Sequence, residues 1–199
     1  MPQETFIELL REVGALKQGH FLLSSGRHSD QYVEKFDLLR QPQATEEACR
    51  QLIELLGPLA DVELVVGPTT GGILLAFEIG RQLGLPAAYS ERAESGSNAR
   101  VIKRGTVICP ETSVLVVDDI LTTGGSVWAT LASLEVHDVD VRAVAMLVDR
   151  TAGQIDFGPP LVSLASLAIE SWPADQCPLC AEGAPLVKPG TTDLAPSVT

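Results

Sequence analysis

Short, wholly apolar runs alternate along this chain with segments whose apolar residues recur at helical spacing, and that alternation predicts its elements. Phe6, Leu9, Leu10 and Val13 share one helical face, which Gly14 closes. Residues 19–37, GHFLLSSGRHSDQYVEKFD, predict a hairpin with SSGR as its turn. A helix is expected from about Thr45 to Leu56, with Thr45 as the capping residue of an incomplete capping box. Leu64 to Val66 reads as a buried strand feeding GPTTGG, followed by a helix from Ile73 to Leu83 that Gly84 and Pro86 end. Ala87 to Tyr89 is a short strand. Residues 92–105, RAESGSNARVIKRG, are polar and basic at the far end, and predict a mobile excursion from the core. Val114 to Val117 suits a strand buried on both faces, and a helix follows in which Val127, Trp128, Leu131 and Leu134 are roughly in phase. Val141 to Val148 and Leu161 to Leu167 supply two more strands. Repetition of β then α predicts an α/β fold, a doubly wound parallel sheet with right-handed crossovers. The chain divides into N-terminal helices and a hood segment (1–60), a core (61–170) and a tail (171–199), of which residues 185–199, rich in Pro and Gly, are expected to fray.

The most informative stretch is VLVVDDILTTGGS, residues 114–126. Thr122, Thr123, Gly124, Gly125 and Ser126 form a turn that opens a helix, so backbone N–H groups and the positive end of the helix dipole converge on one point, which suits a phosphate. Glycine lets the backbone approach the anion, and the hydroxyls add donors without charge. Asp118 and Asp119 at the strand's carboxyl end suit sugar hydroxyls. GPTTGG, residues 67–72, repeats the same physics, with Thr69, Thr70, Gly71 and Gly72 as candidates for a second phosphate. An ordinary βα loop is the alternative for each turn read alone; together they suit a ligand with phosphates at both ends. Neither turn carries a dinucleotide fingerprint or the GK[ST] ending of a P-loop.

Composition narrows the partners. The 199-residue chain has a formal net charge of −12, which argues against nucleic acid or an anionic membrane. The N-terminus lacks a signal-peptide pattern and no apolar run is long enough to span a bilayer, so cytoplasmic residence is expected. Of four cysteines, Cys49 and Cys109 are expected to be small buried hydrophobes. Cys177 and Cys180 form one C-x-x-C, which is either a packed turn or half of a tetrahedral zinc site whose other half a symmetric dimer could supply.

At every position the 114–126 string resembles the phosphoribosyl pyrophosphate signature of type I phosphoribosyltransferases. HFLLSSGRHSDQY at 20–32, GPTTGG, VDR at 148–150 and the tail CPLCAEGAPLVKPG further resemble the orotate phosphoribosyltransferase family. The resemblance implies that Asp118, Asp119, Ile120, Leu121, Thr122, Thr123, Gly124, Gly125 and Ser126 bind the ribose phosphate, that Thr122 and Arg150 meet orotate, and that Thr69, Thr70, Gly71 and Gly72 meet pyrophosphate. It also implies Mg²⁺ as cofactor and a homodimer in which a mobile loop reaches the neighbouring site. Many members carry a lysine where this chain has Gly71, another where it has Ser24, and a lysine and histidine cluster in the loop. Arg92 is the candidate for the catalytic lysine position, with Arg100, Lys103 and Arg104 also in the loop. Lys35 reads as a surface lysine or as a replacement for some of the lost positive charge, His28 as a turn residue, and Arg150 as either an orotate ligand or the partner of a carboxylate such as Asp156. Transferases for purines or uracil, and a regulator that binds the sugar pyrophosphate without turnover, are the alternatives.

Overall fold

A computed structural model describes residues 2–189. In chain order its elements are α1 (Pro2–Glu12), β1 (Leu16–Leu22), β2 (His28–Val33), α2 (Lys35–Leu39), α3 (Pro42–Leu56), β3 (Leu64–Pro68), α4 (Gly71–Leu83), β4 (Ala87–Arg92), β5 (Arg100–Ile102), β6 (Ser113–Leu121), α5 (Gly125–Glu135), β7 (Asp140–Asp149), β8 (Leu161–Ser166) and the short α6 (Pro178–Ala181). Single 3-10 turns occupy Gly57–Ala60 and Ala174–Gln176.

Six strands form one sheet in the order β5-β4-β3-β6-β7-β8, and all neighbours are parallel except β4 and β5. The expected doubly wound sheet is therefore present. Alternation along the buried strands sends Val65, Leu115, Val117, Ala143 and Ala145 to one face, where they meet Phe6 and Leu10 of α1, Ala48 and Leu52 of α3, and Leu75 and Ile79 of α4. Val66, Val114, Val116, Val144 and Met146 go to the other face, against Val127, Leu131 and Leu134 of α5. Each large side chain buried this way stabilises the fold by about 1.5–3 kcal/mol, which is why the strands read as unbroken apolar runs.

β1 and β2 make a separate antiparallel ribbon with its turn at residues 23–27, as the pattern predicts. Four expectations change. α3 begins at Pro42 rather than Thr45, because proline at the first helical turn has its φ preset and no N–H to lose; Thr45 lies inside the helix and its hydroxyl donates to Leu38 O at 3.2 Å. The excursion after β4 returns as a strand: Arg92, Glu91 and Ser90 pair with Arg100, Val101 and Ile102. Three residues are too few to show alternation, so β5 leaves no strand signal in the sequence. α2, at five residues, is too short to show helical periodicity. Cys109 is exposed, not buried, whereas Cys49 is fully buried in the α3 face and desolvation pushes its thiol up to about 12. Of the tail expected to fray, residues 190–199 lie outside the described residues, while Val187 bridges to Phe21 of the ribbon.

Candidate active site

The chain leaves β3 toward β4 on one side and returns to β6 on the other, so the strand order reverses between β3 and β6. In open α/β sheets this reversal opens a crevice at the carboxyl ends of the strands. β3 and β6 are direct neighbours, in register from Leu64 with Val114 to Val66 with Val116. The two glycine-rich turns, 67–72 and 122–126, thus lie side by side at the crevice.

Both helices that leave these turns begin without a side-chain cap. Thr70 precedes α4 and Gly124 precedes α5, and neither end has a side chain accepting from its first amides. Uncapped N–H groups are a ready anion site. Gly124 holds φ +75°, a left-handed turn that favours glycine. α5 is anchored to the sheet by a buried chain of hydroxyls, Thr130 donating to Ser126 O at 2.8 Å and lying 2.7 Å from Ser90 Oγ. Arg100 of β5 joins the two turns. Its guanidinium donates to Thr69 Oγ1 at 3.0 Å, Ser90 O at 2.9 Å and Thr69 O at 3.2 Å, and reaches Ser126 Oγ at 3.5 Å. Burial pulls its pKa down, although a guanidinium remains charged.

The observed β6 continues to Leu121, so Asp118 and Asp119 lie near the carboxyl end of the strand, as expected. Successive strand residues face opposite ways. Asp119 meets Lys35 of α2, whose Nζ lies 3.0 Å from Oδ1 and 2.8 Å from Oδ2. Lys35 therefore stands in the candidate site, which favours its reading as replacement charge over that as a surface lysine. The same contact accounts for the glycine at position 71. A Cβ on Gly71 would lie 1.8 Å from Asp119 Oδ2, so in this chain α2 supplies the amine while the loop makes room for the carboxylate.

Asp118 accepts the amide of Asp119 at 2.8 Å and Asp119 that of Ile120 at 2.7 Å. Burial, and then the neighbouring Asp119 charge, push Asp118 up from 3.8 to about 7, against the opposing pull of Lys35 and Arg100. A folded value above the unfolded one means that the neutral acid favours the native state. That contribution is complete below about 4 and is lost as pH rises through about 7. Thermal melting of the ligand-free chain from acid to neutral pH should thus show a downward trend that Asp118→Asn flattens; parallel curves for the two proteins would refute it.

Beyond the carboxylates, Ser24, Tyr32, Thr122, Thr123 and Arg150 line a cavity of about 450 Å³ under the ribbon. Arg150 is presented by a rigid turn: the Asp149 carboxylate accepts Thr151 N and Thr151 Oγ1, each at 2.7 Å, and Gly153 N at 3.1 Å. Desolvation lowers the Arg150 pKa and raises that of Tyr32. Arg150 makes no salt bridge among the described residues, and Asp156 instead accepts the amide of Gly158 at 2.9 Å. A half-buried guanidinium facing a cavity suits a carboxylate. Arg92 is exposed at the end of β4, one strand in from the sheet edge, beside Arg100 in register. His28 is no turn residue: it is buried on β2, facing His20 and Cys180.

A family model for the phosphoribosyl transferase domain matches residues 38–160, which contain both turns, Lys35's neighbouring helix α3, Arg100 and Arg150. The chain belongs to the phosphoribosyl transferase family. It is 43% identical to the orotate phosphoribosyltransferase of Heliobacterium modesticaldum over 96% of this chain and 99% of that protein, and 39% identical to that of Thermotoga maritima over 94% and 98%. Among solved structures, it is similar to orotate phosphoribosyltransferase from Aeropyrum pernix, with a TM-score of 0.70, 32% identity, and coverage of 81% of this chain and 93% of that one. The Mycobacterium tuberculosis orotate enzyme gives a TM-score of 0.69 at 28% identity, covering 84% and 98%. The expected family, and its orotate branch, are thus the ones to which this phosphoribosyl transferase is similar along nearly its whole length. No helix among the described residues is long and apolar enough to cross a membrane.

Proposed function

We propose that this chain is an orotate phosphoribosyltransferase that moves the ribose 5-phosphate group of phosphoribosyl pyrophosphate to N1 of orotate, releasing pyrophosphate and forming orotidine 5′-monophosphate. The observation that carries the reading is the pair of uncapped helix N-termini on adjacent strands, joined by Arg100 and flanked by a cavity that ends in Arg150. Full-length similarity to orotate enzymes supports the choice of base.

In this reading, the amides and hydroxyls of 122–126 seat the 5-phosphate, and Thr69 to Gly72 with Arg100 take the pyrophosphate. Asp118 and Asp119 hold the ribose hydroxyls near C1. Bond cleavage running ahead of bond formation gives C1 positive character, so a pair of fixed carboxylates beside it stabilises the transition state more than the ground state. Arg150 takes the orotate carboxylate, with Thr122 and Tyr32 beside the ring. Arg92, exposed at the end of β4, is proposed to act at the neighbouring site of a homodimer. Its partners are small molecules, and we place the enzyme in the cytoplasm.

The donors facing the crevice are oxygens, and Asp119 Oδ2 is buried without a well-aligned hydrogen bond although it faces Lys35. This set fits magnesium, which prefers carboxylate, phosphate and water oxygens. Asp118 and Asp119 would hold it, and when bound it neutralises charge on the departing pyrophosphate.

The direct test is magnesium-dependent loss of orotate absorbance when phosphoribosyl pyrophosphate is added, with adenine, guanine and uracil assayed in parallel. Turnover of another base with orotate inert would overturn the assignment. Arg150→Ala should raise the KM for orotate about a hundredfold and that for the sugar pyrophosphate by little, because it leaves one carboxylate unpaired. Equal, small changes in both would remove Arg150 from the base pocket.

A further inference from the structure

The Cys177–Cys180 pair takes no part in the transfer reaction, yet the fold brings two more ligand-bearing side chains to it. His20 comes from β1 and His28 from β2. His20 Nε2 lies 2.9 Å from His28 Nδ1, 3.4 Å from Cys177 Sγ and 3.6 Å from Cys180 Sγ, and Cys180 Sγ lies 3.2 Å from His28 Nδ1. All four ligand atoms fall within 4.8 Å of one another. His20, His28 and Cys177 are at most 5% exposed. The half-site that the sequence left open to a symmetric dimer is completed within one chain.

We propose that His20, His28, Cys177 and Cys180 form a structural zinc site. Zn–N bonds of about 2.0 Å and Zn–S bonds of about 2.3 Å in a tetrahedron separate the ligand atoms by roughly 3.3–3.8 Å, and here four pairs stand 2.9, 3.2, 3.4 and 3.6 Å apart with the others within 4.8 Å. Two soft sulfurs and two imidazoles select zinc over the hard, oxygen-seeking magnesium of the crevice. The tautomer also fits. His20 Nδ1 lies 2.9 Å from Ala184 O, a carbonyl that can only accept, so Nδ1 carries the proton and Nε2 turns its lone pair toward the cluster. On binding, each thiol loses its proton to solvent and both histidines ligate as neutral rings, so no redox partner is needed. Four protein ligands leave no open position, which excludes a catalytic metal.

The ion would clamp the C-terminal segment to the ribbon. That segment flanks the ribbon on both sides. His28 and Trp172 exchange backbone hydrogen bonds of 2.8 Å, as Leu22 and His20 do with Val187, and Ser29 Oγ donates to Glu170 O at 2.7 Å. A two-stranded ribbon is marginal in water by itself. This one carries Ser24 and Tyr32 to the cavity shared with Arg150, so a clamp on it positions the base pocket. This second part rests on the function proposed above; the metal content does not.

Elemental analysis of the full chain, purified without chelator or affinity metal, should give one zinc per chain, and Cys177→Ser with Cys180→Ser should remove it. Exchange with cobalt(II) should give the intense ligand-field bands of a tetrahedral site and thiolate charge transfer. Because the double variant could misfold, the cobalt spectrum of the unaltered chain decides independently. Zinc absent after reconstitution of the reduced protein, an octahedral cobalt spectrum, or full zinc content in the double variant would each overturn the site. For the clamp, zinc removal should raise the orotate KM about tenfold with little change in the sugar pyrophosphate KM; an unchanged orotate KM in folded, zinc-free protein would overturn that role. Loss of orotate activity in the zinc-replete chain would instead count against the function proposed above.

Discussion

Asp118→Asn combined with Asp119→Asn is expected to lower kcat at least about a thousandfold while the chain still folds, because asparagine keeps the shape but removes the charge that faces the developing cation. Fold and catalysis separate here for a physical reason. Asp118 is buried beside a like charge and Asp119 is compensated by a lysine that stays about a third exposed, with its side chain at 35%. Neutralising both relieves the repulsion and frees Lys35 to hydrate, so stability should stay within about 1 kcal/mol of the starting value. The orotate absorbance assay reads the first effect and thermal melting the second. Activity within tenfold of the unaltered chain would show that the two carboxylates serve the fold alone.

Gly67→Ala should do the reverse and damage the fold and the site together. A Cβ there would lie 2.0 Å from Gly72 O and 2.4 Å from Gly72 C, which are backbone atoms of the first turn of α4 and cannot swing aside. Either β3 or the α4 N-terminus must move, and such overpacking costs about 3 kcal/mol or more. The displaced amides are those assigned to pyrophosphate, so affinity for the sugar pyrophosphate should fall about a hundredfold in whatever protein folds. Gly125→Ala is the contrast: its Cβ would meet nothing nearer than Thr123 Oγ1 at 3.8 Å, so stability should hold within about 0.5 kcal/mol. Chemical denaturation and isothermal titration measure the two quantities. Equal stability of the two variants would remove the close strand-to-helix contact from the account.

What the sequence made legible follows from the range of the forces involved. The sheet, its core strands and both glycine-rich turns were readable because periodicity and turn chemistry are local, and Val114 to Ser126 states strand, turn and helix in one uninterrupted string. Residues brought in from elsewhere were not. Lys35 lies 84 positions before Asp119, and nothing in its neighbours announces the ion pair. Arg100 was noted only as one basic residue of a loop, yet a three-residue strand places it between the two turns. His20 and His28 looked unrelated to a C-x-x-C some 150 positions later until the C-terminal segment folded back along the ribbon. Arg150 was legible because it ends a long apolar strand, although its cavity came into view only with Ser24 and Tyr32 from the ribbon.

The placement of Arg100 has one further consequence. This side chain belongs to the outermost strand of the sheet, joined to its neighbour by only three residue pairs, and it also bridges the two anion-seating turns. Anything that draws Arg100 inward must tighten the border strand, and anything that frays that border must weaken the grip on the ligand by the same free energy. Under the function proposed above, substrate occupancy and the order of the sheet's margin are thereby coupled equilibria, observable from either end.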